Sequence, residues 1–421
     1  MVENYQKFVL ENGITLICES VPYVESATIG VWVSSGSIFE EERENGISHF
    51  IEHLLFKGTE KRSAREISET IEGLGGELNG FTGKEYSCYY AKLPSLHIEK
   101  AIELLSDIVN NSLLKKEDIE MERNVILEEI ARYEDTPDDE IHDLLIKGSL
   151  SGHPLGRPII GKKETLSLMD RDGILEFYTR FYIPKRMLIS IAGNINFEKT
   201  RELVARHFSK EKDKDSEKQI PIPSIQSHII NKEKDTEQVH FCIGTRGLPV
   251  SHEKRFVISI LNTILGGGMS SRLFYEIREK RGLAYAIYSY PQSFRDCGLF
   301  AVYCGTSTKN YKKAISLIMD EFKKIKIEEV KEKELNKVKE QIKGAFLLSL
   351  ENTANRMERL AKQEAYFKRQ FSVDEIMKMI DLVSSKDIQD LANSIFLPSQ
   401  YSFAFIGPIK KEELSLDENI F

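Results

Sequence analysis

Two histidines and a glutamate within residues 45–59 have the spacing of a metal site. His49 and His53 are four residues apart, so one face of a helix can present both imidazoles to a single metal ion. Glu52 falls on the same helical face and can act as a general base toward a water molecule. This H-x-x-E-H pattern indicates a candidate zinc hydrolase.

The residues around the two histidines predict an amphipathic helix. Apolar side chains recur at the spacing of a buried helical face, and they are Ile47, Phe50, Ile51, Leu54 and Leu55. His49, Glu52 and His53 fall on the opposite face, and Gly58 is well placed to end the helix. The alternative is a chance meeting of two histidines and a glutamate on a solvated face.

A zinc site also needs a third protein ligand and an open position. The segment from about residue 118 to 133 has the pattern of a helix and contains Glu122, Glu128 and Glu129. Glu122 and Glu129 are two helical turns apart, so they share a face. Spacing alone does not choose between Glu128 and Glu129, and three ordinary surface glutamates are the alternative.

The chain as a whole has the composition of a globular protein. Its 421 residues fit two domains of about 200 residues better than one. A net charge of −8 gives no support for nucleic-acid binding. Five scattered cysteines favour a reducing, cytoplasmic setting, and no apolar run approaches the roughly 20 residues that cross a bilayer. We therefore expect a cytoplasmic protein without a membrane or nucleic-acid partner.

The sequence predicts two similar domains joined by a linker. Residues 209–235 are highly charged and contain two prolines, so they bury little apolar surface. We expect them to connect an N-terminal metal-binding domain, 1–208, to a C-terminal domain, 236–421. A long exposed loop within one domain is the alternative.

A repeated pattern near the end of each half predicts a duplicated fold. Pro184 precedes Gly193 by nine residues, as Pro398 precedes Gly407, and a strand-like apolar run lies between each pair. The fold class expected from this duplication is α+β, with two similar α/β domains. Chance similarity between two α/β halves is the alternative.

The segment from His49 to Thr59 resembles the signature of the pitrilysin/insulinase family of inverted-motif zinc metallopeptidases. The resemblance is closest to the branch of the mitochondrial processing peptidase β subunit and its bacterial homologues. Glu129 follows His53 by 76 residues, the separation at which that family has its third ligand. The resemblance implies one Zn²⁺ per chain, held by His49, His53 and Glu129, with Glu122 orienting a ligand histidine.

The resemblance also implies residues that handle the peptide. Arg278 and Tyr285 have the seven-residue spacing of a family pair that stabilises the carbonyl oxygen of the cleaved bond. Residues 75–82 resemble an edge strand to which substrate adds as a further strand, and Asn79 would contact the peptide there.

Two aspartates extend this list of expected substrate contacts. Asp139 and Asp143 are four residues apart and match family positions that bind an arginine near the cleavage point. Simple solvation of a helix explains them equally well.

The implied function is a zinc endopeptidase that acts on short or unfolded peptides. Longer family members join four such domains around a closed chamber, so a chain with two implies a clamshell-like homodimer of mostly antiparallel sheets packed with helices. Arg278 and Tyr285 would then act on the metal site of the partner chain. The rivals are a non-catalytic core-protein subunit and a half that needs a different partner. The intact metal motif and the Arg/Tyr pair in one chain favour the homodimer.

Overall fold

The computed structural model describes residues 4–210, 220–410 and 412. Contacts divide the chain into two compact units. Unit 1 consists of the chain up to Ala131 together with residues 157–220 and 347–373, and unit 2 consists of residues 132–156, 221–346 and the chain from Asp374 onward. Each unit is therefore discontinuous in sequence.

Unit 1 is built on a six-stranded sheet, sheet 1. Its strands are β1 (Tyr5–Val9), β2 (Thr15–Ser20), β3 (Ser26–Val33), β4 (Glu77–Thr82), β5 (Ser87–Pro94) and β6 (Met187–Gly193). Their spatial order is β1-β2-β6-β3-β5-β4. The β2–β6 pair is parallel and the other pairs of this sheet are antiparallel. β4 is thus an edge strand.

Unit 2 is built on a five-stranded sheet, sheet 2. Its strands are β7 (Ile229–Glu233), β8 (Val239–Arg246), β9 (Ala284–Ser293), β10 (Gly298–Thr306) and β11 (Ser402–Gly407). Their order is β7-β11-β8-β10-β9, with β7 and β11 parallel and the other pairs antiparallel. This order and these directions repeat β2-β6-β3-β5-β4 of sheet 1. The predicted fold class, two similar domains with mostly antiparallel sheets and packed helices, is confirmed.

Fourteen α-helices lie in the part of the chain that the structure describes. The first eight are α1 (Ile47–Leu55), α2 (Ala64–Glu72), α3 (Ile98–Asn111), α4 (Lys116–Glu134), α5 (Pro137–Ser149), α6 (Lys163–Leu168), α7 (Arg171–Phe181) and α8 (Phe197–His207). The other six are α9 (Arg255–Leu265), α10 (Tyr311–Ile327), α11 (Glu332–Ser349), α12 (Thr353–Phe367), α13 (Val373–Asp381) and α14 (Ser385–Ile395). None of these helices has both the length and the apolar character needed to cross a membrane.

The repeated proline and glycine mark the same structural feature in both units. Pro184 and Pro398 each begin a single turn before a central strand, β6 or β11. Gly193 and Gly407 end those strands with φ of 148° and 157°, a region that side chains rarely adopt. A Cβ atom on Gly193 would also lie 2.4 Å from the carbonyl oxygen of Ser26. The local backbone therefore requires glycine.

Each sheet is covered on one face by a helix from the other half of the chain. On sheet 1, helix α12 buries Met357, Leu360 and Ala361 against a group that includes Trp32 and Cys88. On sheet 2, helix α5 buries Ile141 and Leu145 among side chains of β8, β10 and β11. The opposite face of sheet 1 carries the main core of unit 1, which α1 and α3 help to fill.

The predicted domain limits, 1–208 and 236–421, remain a prediction. The compact units differ from them because residues 132–156, with α5, belong to unit 2 and residues 347–373, with α12, belong to unit 1. We call this the exchange of α5 and α12. The predicted linker, 209–235, contains strand β7, which pairs with β11. Residues 211–219 of that linker lie outside the described residues.

Candidate metal centre

A buried glutamate fixes the start of the helix that presents the candidate ligands. The carboxylate of Glu40 accepts hydrogen bonds from the main-chain N–H groups of Gly46 and Ser48, both at 3.0 Å, and from the side chain of Asn45 at 3.1 Å. Burial raises the pKa of Glu40 to about 7, although these donors lower it. A carboxylate at a helix N-terminus satisfies free N–H groups and suits the helix dipole.

Helix α1 has the two faces that its sequence predicts. The apolar residues of its inner face are fully buried in the core of unit 1. His49, Glu52 and His53 lie on the other face and are only partly buried. The burial of one face therefore directs the other toward α4.

Helix α4 brings Glu129 to both histidines. The Oε2 atom of Glu129 lies 3.9 Å from Nε2 of His49 and 3.8 Å from Nε2 of His53, and the three ligand atoms lie within 4.8 Å of one another. A tetrahedral zinc ion with bonds of about 2.1 Å separates its ligand atoms by about 3.4 Å. Two nitrogens and one oxygen at these separations fit a zinc ion after small side-chain shifts.

The neighbouring glutamates of α4 have different positions. Glu122 is buried and its Oε2 atom lies 3.0 Å from Nδ1 of His53. Its other oxygen, Oε1, accepts a bond of 2.6 Å from Nζ of Lys57. Glu128 is exposed. A carboxylate on Nδ1 of a histidine leaves Nε2 free as a metal ligand.

The electrostatics of His49 suit a ligand. Burial, and then the charge of His53, lower the pKa of His49 to about 4. The imidazole is therefore neutral near pH 7, which is the form that binds a metal.

Glu52 is held beside the candidate ligands by the edge strand. Its Oε2 atom accepts a hydrogen bond of 2.6 Å from the hydroxyl of Thr82, the last residue of β4. Burial raises the pKa of Glu52, while this bond and the charge of His53 lower it. A raised pKa brings a carboxylate closer to the value that suits proton transfer.

Arg278 and Tyr285 are neighbours within unit 2. Arg278 lies in a π-helical turn, Phe274–Glu279, and Tyr285 lies at the start of β9. The guanidinium carbon is 5.2 Å from the ring centre of Tyr285 and 4.8 Å from that of Phe274. π-helical turns are often found at functional sites. Because Tyr285 is 76% exposed, its hydroxyl is accessible to a ligand.

The three predicted substrate contacts are distributed over both units. Asn79 is exposed on the edge strand β4 of unit 1, opposite Tyr90 on β5. Asp139 and Asp143 lie on α5 in unit 2, where the hydroxyl of Tyr133 is 2.9 Å from the main-chain oxygen of Asp139 and 3.2 Å from the carboxylate of Asp143. Their roles stay predictions.

Comparison with known proteins agrees with this geometry. Residues 15–163 match the profile described as insulinase, peptidase family M16, and residues 169–342 match the profile described as the M16 inactive domain. The chain belongs to the insulinase family of peptidases. The closer resemblance to the processing-peptidase β subunit stays a prediction.

Relatives of this insulinase-family chain span nearly its full length. It is 39% identical over 403 residues to an uncharacterized zinc protease of Bacillus subtilis, YmxG, covering 96% of this chain and 98% of that one. It is also 39% identical to an uncharacterized zinc protease of Streptomyces coelicolor, covering 96% and 90%. The crystal structure of a Helicobacter pylori protease matches with a TM-score of 0.91 at 23% identity, covering 97% and 100%. That last likeness supports the fold.

The sequence did not predict the roles of three residues near the candidate metal centre, Glu40, Lys57 and Thr82. Glu40 and Lys57 carry no local pattern that marks them as partners of Gly46 or Glu122. Thr82 lies in a segment predicted to be an edge strand, but alternation along that strand does not reveal a contact with Glu52 on a helix.

Proposed function

We propose that this chain is a zinc metalloendopeptidase that cleaves short or unfolded peptides. The main support for this proposal is that Glu129 approaches both His49 and His53 of α1. Glu52 lies between the two histidines in sequence. The relatives named zinc proteases and the family of peptidases support the same reaction.

His49, His53 and Glu129 would hold one zinc ion per chain. Three protein ligands leave a position open, which is the arrangement of catalytic rather than structural zinc sites. Zinc in such a site supplies Lewis acidity, which activates water and polarises a peptide carbonyl.

The residues around the metal position have separate tasks in this proposal. Glu52 takes a proton from the attacking water and delivers a proton to the departing amine. Arg278 and Tyr285 donate hydrogen bonds to the carbonyl oxygen as its negative charge develops. The exposed edge of β4 offers main-chain groups to an extended peptide, near Asn79. Asp139 and Asp143 would favour a basic residue in the substrate.

Hydrolysis of a quenched fluorescent peptide tests the proposal. Glu52→Ala should reduce kcat by at least about 100-fold, because a general base contributes that much or more, and should retain zinc. Glu60→Ala, at an exposed position just after α1, is the control and should retain full activity. Undiminished cleavage by the Glu52→Ala protein would refute the assigned role.

We further propose a homodimer in which Arg278 and Tyr285 act on the metal site of the partner chain, in the cytoplasm. The proposal is supported by the family resemblance and by the presence of both residue sets in one chain. A mixture of His49→Ala and Arg278→Ala proteins, allowed to exchange subunits, should recover partial activity. If mass spectrometry proves exchange and activity is still absent, the trans arrangement is wrong.

A non-catalytic subunit, or one half of a heterodimer, is the second candidate. The match of residues 169–342 to a profile described as an inactive domain is compatible with it. Zinc content and molar mass of the purified chain, measured with its activity, separate the two. A zinc-loaded homodimer without peptidase activity would support the second candidate.

A further inference from the structure

We infer that Thr82 is a positioning residue for peptide hydrolysis, which holds the carboxylate of Glu52 in the orientation that accepts a proton. The inference rests on the proposed role of Glu52 as the general base. It concerns a residue on the edge strand β4, outside the H-x-x-E-H helix.

The hydrogen bond from Thr82 has one preferred acceptor. Its hydroxyl lies 2.6 Å from Oε2 of Glu52, but 3.5 Å from the main-chain oxygen of Ser48 and 3.4 Å from the hydroxyl of Ser87. A hydroxyl has a single proton to donate, and a short bond to a carboxylate is stronger than a bond to a neutral oxygen. The hydroxyl of Thr82 therefore donates its hydrogen bond to the carboxylate of Glu52.

Thr82 is itself held in place by its strand. Its main chain is paired with Ser87 on β5, across the tight turn that links the two strands. Pairing holds the main chain of Thr82, and a β-branched side chain has restricted rotation about χ1, so the hydroxyl has little freedom to move away from Glu52.

The turn after Thr82 is fastened from both sides. The N–H of Ile38 donates to the main-chain oxygen of Lys84 at 2.8 Å, and the N–H of Ser37 donates to that of Gly83 at 3.3 Å. From α12, the hydroxyl of Tyr366 donates to the carboxylate of Glu85 at 2.7 Å. These contacts fix the position from which Thr82 reaches Glu52.

The bond engages only one oxygen of the base. Oε1 of Glu52 makes no hydrogen bond to any other described residue, so it remains able to take a proton while Oε2 is held. Without Thr82, the Glu52 side chain could rotate among several rotamers, and only some of them would direct Oε1 to the reacting water. The rate of the chemical step should therefore fall, while peptide binding and zinc ligation stay intact.

Substitutions that separate the hydroxyl from its methyl group test this inference. Thr82→Val keeps the shape but removes the donor, and Thr82→Ser keeps the donor. Ser87→Ala is the matched control, because its hydroxyl lies 3.4 Å from that of Thr82 but is not a hydrogen-bond partner of Glu52, and it should keep the kcat of the wild type. The measurements are kcat and KM for a quenched peptide, zinc content by mass spectrometry, and the visible spectrum of the cobalt(II)-substituted protein.

We expect kcat of Thr82→Val to fall by about 10- to 100-fold, the usual effect of removing a residue that orients a metal-site group. Its KM, zinc content and cobalt spectrum should match those of the wild type. Thr82→Ser should restore kcat to within about threefold of the wild type, since a hydroxyl donor is retained. If Thr82→Val does not fold, Thr82→Ala replaces it in the comparison with Thr82→Ser.

Several results would overturn the inference. They are an unchanged kcat in Thr82→Val, an equal loss in Thr82→Ser, or a loss of zinc in Thr82→Val. Full activity of Thr82→Val beside an inactive Glu52→Ala would refute only the role of Thr82. Failure of the zinc-loaded wild type to cleave peptides would instead refute the proposed function, and the role of Thr82 with it.

Discussion

Two adjacent glutamates on α4 differ in what they can bind. Glu129 lies within 4 Å of both histidines on α1, whereas Glu128 is exposed. We expect Glu129→Ala to lose its zinc after brief dialysis against a chelator, because two histidines alone leave a zinc site incomplete. Glu128→Ala should keep one zinc ion per chain through the same treatment. Equal zinc content in both variants would show that Glu129 is not a ligand.

Glu122 should tune zinc affinity without contacting the metal. Its carboxylate lies 3.0 Å from Nδ1 of His53, so it orients the ring and favours a free Nε2. Glu122→Ala should weaken zinc binding by about 10- to 100-fold, measured by competition with a fluorescent chelator. Glu128→Ala again serves as the control. Unchanged affinity in Glu122→Ala would leave the residue with only a packing role.

The choice among these residues shows where sequence reasoning stops. Helical period put His49, His53 and Glu52 on one face, because burial of the opposite face enforces that period. Spacing left Glu128 and Glu129 equal, since the two side chains point about 100° apart and the sequence does not say which side of α4 meets α1. The family resemblance selected Glu129. The contact of Thr82 with Glu52 joins a strand to a helix, so no local period encodes it.

At the scale of elements, α1 depends on a single buried carboxylate. Glu40→Gln replaces one acceptor oxygen with an NH₂ group that faces N–H donors. We expect it to lower the free energy of unfolding by about 1–3 kcal/mol, the cost of leaving such donors unsatisfied. Urea unfolding of the zinc-free protein near pH 8, where the carboxyl is ionised, measures this change. The exposed Glu42→Gln is the control, and equal stability of the two variants would contradict the role of Glu40.

A second element, α5, carries a histidine that should make stability sensitive to acid. His142 lies 2.6 Å from the hydroxyl of Tyr290 and 2.9 Å from that of Tyr288. A neutral imidazole donates to one tyrosine and accepts from the other. Burial lowers the pKa of His142 below its ordinary value, although nearby aspartates raise it.

The sign of this effect follows from proton binding. Between the lowered pKa and the ordinary pKa of histidine, the unfolded chain binds more protons than the folded one, so stability falls as the pH falls. Between about pH 7 and pH 5, we expect the wild type to lose more stability than His142→Gln, whose amide can replace both bonds. Both proteins are compared without zinc, so that other histidines contribute equally. Parallel stability curves would refute this prediction.

Helices and strands with a regular apolar spacing could be predicted from the sequence. The elements that they pack against or pair with could not. The helices around His49 and Glu129 were predicted because their apolar residues recur at helical spacing. Strand β7 was hidden inside the charged segment 209–235, because pairing with β11 rather than its own composition stabilises it. The exchange of α5 and α12 is a long-range pairing that no local pattern reveals.

At the scale of the whole molecule, this exchange makes each half of the chain depend on the other. Sheet 1 in unit 1 buries Trp32 under Met357 of α12. The buried carboxylate of Glu19 pairs with Arg356 of the same helix. Loss of one partner from a buried ion pair costs roughly 3–5 kcal/mol. Unit 1 therefore needs residues that lie more than 300 positions after its first strands.

The two halves, cut between residues 210 and 220, should fold only together. The fragment 1–210 lacks α12, and the fragment from 220 onward lacks α5, so each leaves an apolar sheet face uncovered. Expressed separately, each should bind a hydrophobic dye and unfold without a cooperative transition. Co-expressed, they should purify as a pair with one zinc ion.

Two variants of the second fragment test the reason for this dependence. Arg356→Met removes the hydrogen-bonded partner of Glu19 and should reduce the yield of the pair. The buried carboxylate then keeps only Arg359, whose guanidinium lies 3.6 Å from its other oxygen. Glu351→Ala changes an exposed residue just before α12 and should leave the yield unchanged. Cooperative unfolding of 1–210 alone, with zinc bound, would show that α12 is dispensable and that the metal-binding half is an independent domain.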